Sequence, residues 1–108
     1  MAVWFVSRHP GAVEWAHKHA LPVDRWVAHL DASAVQSGDT VAGTLPVHMA
    51  AQVCSRGAHY LHLSLELPPD LRGRELNCAE LERANARLDA CVVEVLPVRQ
   101  MPSKKSNP

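Results

Sequence analysis

The 108-residue chain balances 11 Lys and Arg against 11 Asp and Glu, a formal net charge of zero. That balance lacks the basic excess of a protein that tracks long nucleic acid, and a composition of 47% apolar and 20% charged residues excludes a disordered chain. The length suits one domain with one core and leaves no room for two.

Val3, Trp4, Phe5 and Val6 lie in an unbroken apolar run from Ala2, the pattern of a central strand buried on both faces. Ser7-Arg8-His9-Pro10-Gly11 ends it, and Ala12 to Ala20 reads as a helix with Ala12, Trp15, Ala16 and His19 on one stripe, closed by Pro22. Asp24 to Leu30 alternates like a short strand covered better on one face, Asp31 to Gly38 is a loop, and Asp39 to Gly43 is another short strand. Val47 to Arg56 reads as a helix stopped by Gly57, with Met49, Ala50 and Val53 toward the sheet.

His59 to Leu67 has a clear period of two, with Tyr60, His62, Ser64 and Glu66 on one side and Leu61, Leu63, Leu65 and Leu67 on the other. After Pro68-Pro69 and a basic turn from Asp70 to Arg74, Cys78 to Ala90 reads as a charged helix with Leu81, Ala84 and Leu88 inward, and Cys91 to Val98 as a last strand. Residues 1–98 are thus expected to form one Rossmann-like α/β domain, a mostly parallel sheet flanked by helices. Residues 99–108, rich in Pro, Ser, Lys and Asn, are expected to be a disordered tail.

Cys54, Cys78 and Cys91 are odd in number and widely spaced, predicting reduced thiols rather than a disulfide scaffold, a zinc ribbon or a redox centre. His17 and His19 diverge on a helix, and His59 and His62 face opposite sides of a strand, so the seven histidines do not assemble a metal site, and no cofactor is expected. G-x-G-x-x-G, a Walker loop and G-x-S-x-G are all missing, so neither a dinucleotide, a nucleoside triphosphate nor a serine hydrolase is indicated. The N-terminus has no basic-then-apolar signal pattern, and no apolar run approaches the roughly 20 residues that span a bilayer. A cytoplasmic protein without a membrane partner is the expectation.

In open parallel sheets, ligands bind outside the strands' carboxyl ends, where the strand order reverses. Three polar segments fall there. Ser7, Arg8, His9 and Gly11 precede a helix whose free N–H groups and dipole favour an anion such as phosphate. Thr44, Leu45 and Pro46 precede the second helix, with His48 in its first turn, and Arg72 and Arg74 lie in the turn after the alternating strand. Each has an ordinary structural reading as well: Ser7 and Thr44 as caps, the arginines and histidines as solvated surface.

Four blocks in order, Trp4-Phe5-Val6-Ser7-Arg8-His9-Pro10-Gly11-Ala12, Asp24 to Leu30, Gly38 to His48 and Tyr60 to Ser64-Leu65, resemble a small CRISPR-associated family of the Csx type, from about Val3 to about Leu88. The resemblance implies a protein of type III CRISPR systems, a compact relative of the CARF domains that recognise cyclic oligoadenylates. Some of that wider group are ring nucleases that open the cyclic messenger and switch the antiviral response off.

Cyclic tetra-adenylate is the ring this resemblance favours, and its two-fold symmetry is matched by a homodimer. Such cleavage requires no metal, since a ribose 2′-hydroxyl attacks its own adjacent phosphate. Loop position and chemistry then assign Arg8 to charge stabilisation, His9 to proton transfer with His48 as the alternative, and Ser7, Gly11, Thr44, Leu45, Pro46, Arg72 and Arg74 to binding. A cyclic-nucleotide binder that does not cut, or an accessory subunit of the interference complex, would use the same sequence features.

Overall fold

Four consecutive apolar side chains suit a strand covered on both faces, and Val3–Val6 forms such a strand, β1, in the interior of the sheet rather than at its edge. A computed structural model of the protein describes residues 1–98. In chain order the remaining elements are α1 (Pro10–Lys18), β2 (Arg25–Val27), β3 (Thr40–Gly43), α2 (Val47–Ser55), β4 (His59–Ser64), α3 (Cys78–Arg83) and β5 (Arg87–Cys91), with single 3-10 turns at Ala32–Ala34 and Pro69–Leu71. The five strands run in the order β2-β1-β3-β4-β5. The first four are parallel and β5 pairs antiparallel to β4, the mostly parallel α/β sheet that the sequence implies.

Alternation along the strands divides the core in two. Trp4, Val6, Val41 and Tyr60 pack with Val35, Ala50 and Val53 of the α2 side. Phe5, Ala42 and Leu63 pack with Ala12, Trp15 and Ala16 of α1 and Leu81 of α3 on the other side. The division follows from topology: β1 connects to β2 in one direction and β3 to β4 in the other, so crossovers of the same hand place α1 and α2 on opposite faces. Phe5 is 1% exposed, and its truncation to Ala is a core deletion costing about 3–5 kcal/mol.

Asp39 is the one buried charged residue among the described residues. Its carboxylate accepts hydrogen bonds from the Ala2 amide at 2.8 Å, the Gln36 amide at 3.0 Å and the Trp4 indole Nε1 at 3.1 Å. These donors clamp the start of β1 beside the start of β3. Led by the Ala2 and Gln36 amides, they hold the Asp39 carboxyl at about 2.

The carboxy-terminal third departs from the expected pattern. The helix expected from Cys78 to Ala90 ends at Arg83, and residues 87–91 form β5 instead. Asn85 stops the helix by adopting a left-handed φ of 55°, tolerated better by Asn than by most residues, while its side-chain amide donates to Glu66 at 3.2 Å. Leu88 satisfies both periods: it lies seven residues after Leu81 and also pairs with Leu63 across the sheet. The strand expected over Cys91 to Val98 is therefore displaced toward the N-terminus, and residues 92–98 have no regular structure. The expected tail, residues 99–108, lies outside the described residues. No helix among the described residues is long and apolar enough to cross a membrane.

Candidate functional site

Strand order reverses at β1, which has β2 on one side and β3 on the other, so a crevice opens beyond the carboxyl ends of β1 and β3. A cavity of about 520 Å³ occupies this place, within the range of small-molecule sites. Ser7, Arg8 and His9 line it from the β1–α1 loop, Thr44, Leu45 and Pro46 from the β3–α2 loop, and Arg74 with Glu75 from the segment before α3. Leu30, Met49, Leu63, Leu65, Leu76 and Leu81 give it an apolar floor.

Both crossover helices begin at this cavity. His9 is the N-cap of α1 and Pro46 that of α2, and neither helix has a side-chain cap. In α1 Pro10 has no N–H and Ala12 and Val13 donate to the His9 carbonyl, which leaves the Gly11 amide. In α2 Met49 and Ala50 donate to the Pro46 carbonyl, which leaves the amides of Val47 and His48. The dipole at each start also favours an anion. Arg8 makes no ion pair among the described residues, so its guanidinium is available to a ligand. Arg74 instead pairs with Glu80.

Ser7 Oγ accepts the His9 amide at 3.1 Å, which shapes the turn while leaving the hydroxyl proton to donate elsewhere. The imidazole ring of His9 is engaged by Glu75, whose Oε1 lies 3.0 Å from His9 Nδ1. Thr44 reaches the Leu63 carbonyl at 3.4 Å, a long contact.

Beneath the second loop, the buried Tyr60 hydroxyl receives the Leu45 amide at 3.0 Å and lies 3.2 Å from the Gly43 carbonyl and 2.7 Å from His62 Nδ1. One phenolic proton and two lone pairs satisfy all three when His62 Nδ1–H and the Leu45 amide donate to the oxygen and the hydroxyl donates to Gly43. Burial raises the Tyr60 hydroxyl above its ordinary value, against the smaller opposing effect of the Leu45 amide, so it stays a neutral donor. Gly43 is required here: its φ is 141°, and a Cβ would fall 2.3 Å from the Val6 carbonyl oxygen of β1.

Seven of the ten residues singled out from the sequence, Ser7, Arg8, His9, Thr44, Leu45, Pro46 and Arg74, meet at this cavity. Three do not line it. Gly11 is buried in the first turn of α1, where a Cβ would stand 2.0 Å from the Leu76 carbonyl oxygen, so its role is close packing of α1 on the segment before α3. Arg72 is exposed away from the lining. His48 lines a second cavity with Gln52, Cys54, Ser55 and residues 92–95, because the first turn of α2 directs it away from β1.

Glu75, His29 and the leucine floor belong to the cavity but were not singled out from the sequence. The one signal for Glu75 was its place beside Arg74 in a polar turn at the same sheet end. No group of three or more His, Cys, Asp or Glu side chains among the described residues is arranged to hold a metal ion.

Residues 4–94 match the model of a protein family described as putative CRISPR-associated protein (Cas_VVA1548). No curated protein and no solved structure matches the chain.

Proposed function

We propose that this chain, which belongs to the CRISPR-associated Cas_VVA1548 family, is a ring nuclease that binds and opens a cyclic oligoadenylate, cyclic tetra-adenylate first among them. The observation that carries the reading is the meeting, at one cavity on the strand-order reversal, of two helix starts without side-chain caps and Arg8, which has no ion pair among the described residues. Phosphates suit the amides and the guanidinium, while the leucine floor suits the flat apolar faces of adenine.

In the proposed reaction a ribose 2′-oxygen attacks the adjacent phosphorus in line with the departing 5′-oxygen. The new bond closes a 2′,3′-cyclic phosphate, and the departing 5′-oxygen takes up a proton from water to leave a 5′-hydroxyl. The nucleophile belongs to the substrate, so the protein supplies alignment and electrostatics. Arg8 stabilises the charge gathering on the phosphorane oxygens, His9 accepts the 2′-hydroxyl proton, and Ser7 and Thr44 orient the phosphate. A ring larger than one cavity is shared by two copies related by a two-fold axis, so the active form is a homodimer.

The test is chromatography of reactions with cyclic tri-, tetra- and hexa-adenylate, with and without a chelator. Linear products ending in 2′,3′-cyclic phosphate from one ring, formed in the presence of chelator, are expected. Tight binding of an intact ring without products would make the protein a binder that sequesters the messenger. Neither binding nor cleavage would leave the accessory-subunit reading.

A further inference from the structure

We infer that Glu75 is a positioning residue that sets the tautomer of His9, leaving the imidazole Nε2 as the proton acceptor at the cavity; its catalytic consequence rests on the ring-nuclease reading. A carboxylate at a site for polyanions is electrostatically adverse, so its presence calls for a specific role. Glu75 Oε1 stands 3.0 Å from His9 Nδ1, and an ionised carboxylate can only accept, so Nδ1 carries the proton. In the neutral ring that leaves the lone pair on Nε2.

Both partners are held by their backbones. His9 is the α1 N-cap, its amide donating to Ser7 Oγ and its carbonyl accepting from Ala12 at 3.1 Å and Val13 at 3.2 Å. Glu75 lies between two anchors. On one side Arg74 pairs with Glu80. On the other, the Leu76 carbonyl lies so close to α1 that only Gly11 fits there, and Asn77 begins α3 in a reciprocal capping box with Glu80. The side chains themselves are 56% and 60% exposed, so the contact contributes little to stability, and orientation is the property it can control.

Nitrogen-15 NMR of the histidines, recorded above the imidazole titration range and with the His9 signals identified by their loss in His9→Ala, reads the tautomer directly. The proton is expected on Nδ1 in the wild type and predominantly on Nε2 in Glu75→Ala, while Glu75→Gln, whose amide oxygen can still accept, retains the wild-type form. The same tautomer in wild type and Glu75→Ala would overturn the inference. Single-turnover cleavage of cyclic tetra-adenylate is expected to slow about 10- to 100-fold in Glu75→Ala, the size of effect found for partners that orient a ligating histidine. Glu75→Gln should recover part of that rate, and the affinity for the ring should not fall in either variant. An unchanged rate in Glu75→Ala would equally overturn the positioning role. Absence of wild-type cleavage would overturn the ring-nuclease reading instead, with the NMR result still deciding what Glu75 does to His9.

Discussion

Arg8 and His9 are neighbours in sequence and have different surroundings, which separates their expected roles. Arg8 has no carboxylate partner among the described residues and is a cation held ready, whereas His9 is tied at its amide and at Nδ1. If Arg8 meets charge that grows only in the transition state, Arg8→Ala slows single-turnover cleavage by about 10²-fold or more. His9→Ala slows it by roughly 10²-fold with a much smaller loss of ring affinity. His48→Ala, altered in the other cavity, is expected to cleave like the wild type. Wild-type cleavage by Arg8→Ala would move the reaction away from this loop altogether.

Among the elements, the β3–α2 loop depends on a strand it does not belong to. Tyr60 of β4 satisfies the Leu45 amide and the Gly43 carbonyl from beneath, so the loop's shape is set across the sheet. Tyr60→Phe keeps the ring packing and strands those two buried polar groups, a loss of about 1–3 kcal/mol. Urea unfolding should show a lower midpoint with an unchanged slope. An unchanged midpoint would mean that the loop finds other partners and that Tyr60 is not its anchor.

Acid sensitivity and assembly belong to the whole molecule. The Asp39 carboxyl is held at about 2 against an ordinary value of 3.8, so the folded state favours its ionised form. The stabilisation is complete above the ordinary value, diminishes as pH falls through the interval between the two, and is gone below about 2. Asp39→Asn should therefore be less stable than the wild type at neutral pH, and the gap should close as acid is added across that interval. A gap independent of pH would assign the effect to packing. Light scattering of the protein with cyclic tetra-adenylate is expected to give twice the chain mass. A strict monomer at tens of micromolar, with ligand present, would count against a shared ring.

The chain's own pattern was sufficient for the element order, for the doubly covered β1, for the break at Ser7 to Gly11 and for the loops that end β1 and β3, because these are encoded locally in runs of apolar residues and in Pro and Gly. Six of the seven cavity residues were legible for the same reason, each sitting directly after a recognisable strand, and Arg74 was legible from its place in the basic turn. What local pattern left undecided needed long-range contacts. Leu88 fits a helix stripe and a strand face alike, and only pairing with Leu63 on β4, after the left-handed turn at Asn85, decides between them. Glu75 reaches His9 across 66 positions of chain, and His48 leaves the cavity because of how α2 lies on the sheet. Gly11 reads as a ligand-binding glycine until the Leu76 carbonyl is found against it. Periodicity reports which face of an element is apolar; which elements meet, and at what distance, is decided by the packing of the whole sheet.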